Sequence, residues 1–373
     1  MNVRFYSSEF YRLGEFPRPL SVNIQEVYCG YGTAEVHFPL NETEVFNLLE
    51  GNEQVMLCAD GHWAVVTGWQ VSEDIAVYGR TLQWLLTKRV APAYSYDDIT
   101  PEEAAINIVQ SAEDFVTTAE CSYLGEKGTF ESENPCTLYD GVCKALKPAG
   151  LGFLVEPDLA EKRLVFRVYE GKERECILSA SMRSACGMEY TVEKQDAVSN
   201  CGWYKRKFTY MGDWNAQTNS PTLYNNREKN AYTYYSITAD STRFNLTCKK
   251  GQYLCCDNNE GTWKIYEDRP NTTWVYHDCN EKTGLCKWEA LLSGTKTPLE
   301  AKNEISALVA KEVIDVETLR VKYGQDFNLG DKVRVQYEFG NIKRSQIKRV
   351  ASVNVYFDVD KSGVCPTLEK LEE

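Results

Sequence analysis

Histidine is scarce in this chain: 373 residues contain three, His37, His62 and His277. Imidazole-based catalysis therefore has few places to sit, and neither a Gly-x-Ser-x-Gly elbow nor a His-Glu-x-x-His pair accompanies them. Triad members need not be close in sequence, yet nothing marks one. His37 lies beside Phe38 in a strand-like run, His62 in a turn before Trp63, and His277 in a loop-rich stretch. All three read as structural. Positive charge is also short, with 41 Lys and Arg against 54 Asp and Glu and a net charge of −13. That balance argues against tight nucleic-acid binding, which needs a basic face. No apolar run approaches the roughly 20 residues of a membrane span. The N-terminus, Met1 to Glu9, lacks the apolar core of a signal peptide, so the expected site of synthesis and retention is a cytoplasm. There is no repeat and no low-complexity tract. Gly30-Tyr31-Gly32 lacks the third glycine and the following helix of a dinucleotide site.

Aromatic residues, by contrast, are abundant: 23 Tyr, 14 Phe and 8 Trp suit pleated, half-buried surfaces. The length predicts two to four units. Residues 1–95 read as strands and turns, a small β-barrel or sandwich. Leu20, Val22 and Ile24 alternate with polar neighbours, Ala34 to Pro39 follows the Gly30–Gly32 turn, and Asp60-Gly61 separates two hairpin strands. Ile75 to Tyr78 alternates as a strand, Gly79 breaks it, and Thr81 is placed to cap a helix with Leu82, Leu85 and Leu86 on one face. Lys88 and Arg89 load its last turn and Pro92 stops it.

The period changes at Thr100-Pro101-Glu102-Glu103, a capping box with proline at the first helical position, whose apolar face runs from Ala104 to Val116. A second helix is predicted over Thr137 to Lys147. Leu151 to Glu156 and Arg163 to Tyr169 are predicted to pair across Pro157-Asp158. Thr297-Pro298-Leu299-Glu300 repeats the capping device and predicts a helix to about Val313. The chain closes in strands: Leu319 to Tyr323, the Asn328–Asp331 turn, Lys332 to Phe339, the Gly340-Asn341 turn, and Ile342 to Phe357. The fold class is α+β, mainly β.

Glu102-Glu103 and Asp97-Asp98 are better explained as cap and first-turn charges than as a glycosidase acid pair. The one cysteine constellation is Cys248, Cys255-Cys256, Cys279 and Cys286. Its pairs lie seven positions apart, wider than the two to four usual between zinc thiolates. Free thiols or disulfides pinning an aliphatic-poor segment are the expectation, with a metal site the alternative. Catalytic residues, metal ligands and cofactors are expected to be none.

The stretch from Gly79 to Arg89 resembles the Gly-Arg-x-Leu-x-x-Leu-Leu-x-x-Arg signature of the ReqiPepy-type siphophage tail proteins, which are similar to the hub of tail tips and baseplates. Ser21 to Pro39 looks like that family's opening strands. Ala149 to Phe153 with Leu164 to Arg174 looks like its hairpin, ending in Gly171 followed closely by Arg174. Tyr323 to Val333, with Asp326, Gly330 and Asp331, is similar to its penultimate turn. Two departures stand out: Lys172-Glu173 replaces the usual acidic residue before the arginine, and 213–296 has no counterpart. The resemblance implies a first β-barrel-like hub domain over 1–95, an α+β module over 96–170, and a second hub domain from 171–212 and 313–373. A Cys-rich insert with a helix fills 213–312. It also implies a homotrimeric ring at the virion tail tip, assembled in the host cytoplasm, that joins the tail tube or distal tail ring to the tip and encloses the DNA exit path. Tape-measure, tail-tip and fibre proteins are the implied neighbours, and, with Glu373 following the closing strands, a fused C-terminal enzyme is expected to be absent. Gly79, Arg80, Leu82, Leu85, Leu86, Arg89, Asp326, Gly330 and Asp331 are expected to hold domain shape. The DNA path should lack adhesive basic rings, which places Lys343, Arg344, Lys348 and Arg349 at a subunit contact or outer surface. The rival expectation is a host-glycan-binding or cell-wall-cleaving tip protein.

Overall fold

Asp60 and Gly61 take positive φ, 49° and 97°, the two-residue turn that matches the twist of paired strands. They join Val55–Ala59 to His62–Val71 as an antiparallel hairpin. The computed structural model describes the chain except residues 113–114, 194–200, 207, 215–231, 244, 258–261, 271–273, 279–286, 297, 308–310 and 372–373. Strand outweighs helix, 56% to 14%, so the chain is mainly β as expected. It divides into two units, Met1–Thr191 with Glu312–Glu373, and Val192–Lys311. The strands Cys201–Arg206 and Phe208–Trp214, expected in the second hub domain, therefore belong to the second unit.

The first unit is organised on one thirteen-stranded sheet. From one edge its order is Ala185–Glu193, Lys311–Thr318, Ser362–Glu369, Ile342–Asp358, Ser21–Val27, Thr33–Phe38, Ile75–Thr81, His62–Val71, Val55–Ala59, Val3–Ser7 and Arg12–Phe16. Lys332–Phe339 pairs with the early half of Ile342–Asp358, and Glu173–Ser179 pairs parallel to Lys332–Phe339. The 17-residue strand Ile342–Asp358 thus serves both halves of the sheet. Its residues 342–349 pair with the 332–339 strand and its residues 352–358 with the 21–27 strand. Among the described residues no closed barrel forms, which corrects the barrel-like expectation.

Three cores lie along this unit. Phe5, Phe16 and Phe38 pack with Val45 and Leu49 of the helix Thr43–Gly51. Leu178, Ile314, Phe327, Val333, Val350 and Leu368 form a second core. The third joins Leu82 and Leu86 to Ile108, Val142, Phe153 and Phe166 of the α+β module. Each fully buried Leu or Phe there contributes roughly 2–3 kcal/mol. The capping box at Thr100 is formed in both directions, Glu103 N to Thr100 Oγ1 at 3.2 Å and Thr100 N to Glu103 Oε2 at 2.8 Å. Thr137 caps the helix Leu138–Leu146 through Asp140 N, and Gly150 leaves the following turn at φ 64°.

Several boundaries differ from the sequence reading. The leucine segment Leu82–Lys88 is a 3₁₀ helix, and Thr81 does not cap it. Its hydroxyl instead accepts from Gly32 N at 2.8 Å, and an extended Arg89, not Pro92, ends the helix. Thr43–Gly51 is helical although the segment read as turn, because nine residues between strands, with Val45, Phe46, Leu48 and Leu49 as the apolar ones, are too few to set a helical period apart from a loop. The first module helix stops at Gln110. Pro157 and Asp158 belong to their strand opposite Leu164 and Arg163, so the turn comes after them. Lys311–Thr318 is the strand where Val313 had been placed in a helix and the strand placed at Leu319–Tyr323. A last strand, Ser362–Glu369, was hidden by Pro366, which lacks a ladder donor and sits opposite Val353.

In the second unit, Trp274–Asp278, Cys201–Arg206 and Glu289–Lys296 form a three-stranded sheet. The helix Pro298–Ala307 lays Ala301 and Ile305 against Tyr204 and Leu292. Phe208–Trp214, Tyr232–Ile237, Tyr253–Asp257 and Thr262–Tyr266 make a four-stranded sheet around Trp214, Ile237, Cys248 and Leu254. Both cores are small, as an aliphatic-poor sequence requires. Thr297, Leu308 and Val309, expected in the helix, lie outside the described residues.

Candidate functional site

Four residues of the family-like stretches, Gly171, Arg174, Gly330 and Asp331, come together where the two halves of the sheet meet the α+β module. Tyr28 follows the 21–27 strand, and its amide donates to Ala351 O at 2.8 Å. Its ring is held against two glycines: a Cβ on Gly152 or on Gly330 would each stand 2.2 Å from a ring carbon. The Tyr28 hydroxyl donates to Gly150 O at 2.9 Å, and Arg349 Nη1 donates to the same oxygen at 2.8 Å while its guanidinium lies 4.9 Å from the ring centroid. Tyr169 meets the ring edge-on at 5.4 Å. Burial pushes the Tyr28 hydroxyl above the usual phenol range although the Arg349 charge opposes it.

Asp331 lies beside this ring contact and is 3% exposed. Its carboxylate accepts from Lys172 N at 2.8 Å, Arg174 Nε at 2.6 Å and Asn328 N at 2.8 Å. The backbone around it is equally close, since a Cβ on Gly171 would fall 1.7 Å from Gly330 O. Two stretches some 160 residues apart, Gly171 to Arg174 and Asn328 to Asp331, are thus one joint. Lys172 takes part through its backbone, its N–H donating to Asp331 and its carbonyl accepting from Lys332 N at 2.8 Å.

The remaining signature residues lie in different settings. A Cβ on Gly79 would stand 2.8 Å from Val65 O, next to a bulge at Val66–Gly68. Leu82 and Leu86 are buried in the module core, with Leu85 partly buried against it. Arg80 and Arg89 are exposed, the latter with its guanidinium 4.8 Å from the Phe115 ring centroid. Asp326 closes its own turn by accepting from Lys322 N at 2.8 Å. Tyr28 and Glu26 escaped the sequence reading, for an aromatic after a strand carries no signal of its partners.

The basic run needs correction. Lys343 and Arg344 are exposed, but Lys348 is 1% exposed and pairs with Glu312 at 2.5 Å, and Arg349 belongs to the Tyr28 joint. Two of the four charges are therefore internal ties. The acidic candidates also separate. Glu102 is 2% exposed and accepts from Ser122 N and Leu124 N, so it holds a loop, while Asp97 and Asp98 bind Thr129 and Lys127. In the cysteine constellation Cys248, Cys255 and Cys256 are buried, and Cys279 and Cys286 lie outside the described residues. No group of three metal-capable side chains occurs among the described residues. Two clefts of about 440 and 610 Å³ border Glu173–Ile177 and are lined by mixed charge, including Arg174, Lys332, Arg334 and Arg320.

The His62 Nδ1–H donates to Glu26 Oε1 at 2.9 Å, Tyr323 donates to Glu26 Oε2 at 2.6 Å, and the His62 and Tyr323 rings stack. Burial opposes both charges, but their hydrogen bond outweighs it. His62 is held above the usual imidazole range and Glu26 below the usual carboxylate range. His62 thus contributes stability that is complete below its unfolded value of about 6.5 and lost as pH rises through its higher folded value. Glu26 contributes stability present above about 4.3 and lost as pH falls through its lower folded value. His37, likewise raised by Glu35 and Asp74 against burial, adds to the alkaline loss. Melting temperature should therefore fall as pH rises past about 6.5, and less so in His62→Gln. An equal fall in that variant would show that the pair is not the cause.

No family model matches the chain, and no curated protein matches it in sequence. Solved structures do. A tail protein from Neisseria meningitidis matches with a TM-score of 0.51 at 13% identity, covering 99% of this chain and 96% of its own. The 43 kDa tail protein of prophage MuSo2 from Shewanella oneidensis gives 0.50 at 11% identity, over 99% and 98% of the two chains. The chain shares its fold with these two tail proteins. Prophage tail protein gp18 from Listeria monocytogenes gives 0.47 at 10% identity, over 100% and 95%. At such identities the likeness concerns the fold, and the work of the site must be argued from its residues.

Proposed function

We propose that this chain is a structural, non-enzymatic component of a phage tail, the hub of a tail tip or baseplate. In this reading it forms a homotrimer in the virion, joins the tail tube or distal tail ring to the tip, and encloses the DNA exit path. Tape-measure and tip or fibre proteins are its neighbours. The observation that carries the reading is that the fold match extends from end to end of two tail proteins. The signature residues fit it, because Gly330, Asp331, Leu82 and Leu86 are occupied with packing and backbone ties. Light scattering should give a trimer, alone at high concentration or with a distal tail or tube protein. A strict monomer that binds neither protein would refute the hub.

One observation favours a second reading. Trp203, Trp274 and Leu291 are 44%, 48% and 74% exposed on one face of the three-stranded sheet in the second unit. Such a face suits a host glycan at the tip, bound or cleaved. A cell-wall zymogram and a glycan pull-down, repeated with Trp203→Ala, separate this reading from a purely structural role.

A further inference from the structure

The outer face of the three-stranded sheet in the second unit is built in rows. Strand pairing sets Trp203 opposite both Tyr276 and Leu291, and two residues further on it sets Lys205 opposite Trp274. The alternation of a strand turns Tyr204, Val275 and Leu292 the other way, where Ala301 and Ile305 of the helix Pro298–Ala307 pack on them. One face is thus closed by a helix, while the other keeps Trp203, Trp274 and Leu291 exposed. The Trp203 and Tyr276 ring centroids are 5.2 Å apart. Two cations lie over rings of this face, Lys205 Nζ 5.2 Å from the Trp274 centroid and Lys287 Nζ 4.7 Å from that of Tyr276. Lys287 is shared with Glu289 at 3.2 Å, whereas Lys205 pairs with no carboxylate among the described residues. The charge balance also changes here. Residues 192–311 hold 16 Lys and Arg against 14 Asp and Glu, and the rest of the chain holds 25 against 40. The second unit is therefore the part of this acidic chain that does not repel an anion.

We propose that this face binds an acidic glycan, a polymer of sugar rings that bear carboxylates, and that Lys205 is the residue that selects the charge. The proposal rests on the second reading above, that the face takes a host glycan, and adds what the glycan carries. The C–H groups on one side of a sugar ring are slightly positive and suit the negative face of an indole. A sugar stacked on Trp274 brings its carboxylate to the ammonium that already lies over that ring, and a charge-assisted hydrogen bond forms. A polyol phosphate chain has charge but no ring to stack. A nucleic acid has rings, but its affinity comes from many phosphate contacts, and this face offers two lysines, one of them already paired.

The test titrates the full chain in a calorimeter, at physiological ionic strength, with oligomers of galacturonate, mannuronate and hyaluronan, each beside its carboxyl-reduced, neutral form. At least one acidic oligomer should bind about tenfold or more tightly than its neutral form, as one added hydrogen bond to a charged group implies. Trp203→Ala should weaken both forms about tenfold. Lys205→Gln should abolish the preference and leave the affinity for the neutral form unchanged. Lys302→Gln removes the same charge from an exposed position on the helix that closes the opposite face, and it should keep the preference. Acidic and neutral forms bound alike would leave the glycan face standing and overturn the acidic preference, as would a preference that survives Lys205→Gln. No binding of any oligomer overturns the glycan reading and this proposal with it. Tighter binding of oligothymidylate or polyglutamate than of every sugar would show a face that selects charge alone, and also overturns the proposal. The acidic and neutral forms are compared on the unaltered chain, so that result stands even where Trp203→Ala folds poorly.

Discussion

Gly330→Val should leave little folded protein, with a loss on the order of 4 kcal/mol or more against a total stability of about 5–15 kcal/mol. Two independent penalties add. Gly330 stands at φ 85°, where a β-branched residue is strained by about 1–3 kcal/mol. Its Cβ would also lie 2.2 Å from the Tyr28 ring, whose same edge also lies so close to Gly152 that a Cβ there would stand 2.2 Å away. The Tyr28 hydroxyl is tied to Gly150 and Arg349 lies over the ring, so rotation would break those contacts too. Urea unfolding of Gly330→Ala, Tyr28→Ala and the double variant separates the two penalties. Removing the ring should restore the steric part, by about 1–2 kcal/mol, and leave the backbone part. Strict additivity would mean that the ring and the glycine do not compete for space.

Much of the fold is legible where local chemistry decides it. Asp60-Gly61 can form only a tight hairpin turn cheaply, and Thr100-Pro101-Glu102-Glu103 satisfies the first turn of its own helix. Legibility ends where a residue is decided by a partner far away. Thr81 has the chemistry of a cap, yet its hydroxyl is taken by Gly32 N across 49 residues, and the leucine segment winds as a 3₁₀ helix. Lys348 and Arg349 look like surface charge because sequence shows their heads and not Glu312, Tyr28 or Gly150. The same blindness hides the sharing of Ile342–Asp358 by both halves of the sheet. Its length was visible, but its two successive partners on one edge were not. The signature residues Gly171, Arg174, Gly330 and Asp331 could be picked out singly from the resemblance, whereas their meeting point needed the fold.

That meeting point gives the second large effect. Asp331→Ala should destabilise by about 3–5 kcal/mol, the range for removing one partner of a buried charge pair. Three donors converge on this carboxylate, and two of them, Lys172 N and Asn328 N, are peptide groups that cannot move to water without opening the joint. Arg174 is better placed to adapt, since its side chain is 29% exposed against 4% for Asp331. The loss should accordingly be asymmetric. Arg174→Ala leaves the carboxylate with two peptide donors and should cost about half as much, whereas Asp331→Asn keeps one acceptor and should fall between the two. A double-mutant cycle should show about 1.5–3 kcal/mol of coupling between Arg174 and Asp331. The comparison also discriminates between roles, because an acid employed in chemistry can be neutralised with the fold kept, and this one cannot. An Asp331→Ala protein within about 0.5 kcal/mol of the parent in urea unfolding would refute the structural role argued for the whole joint.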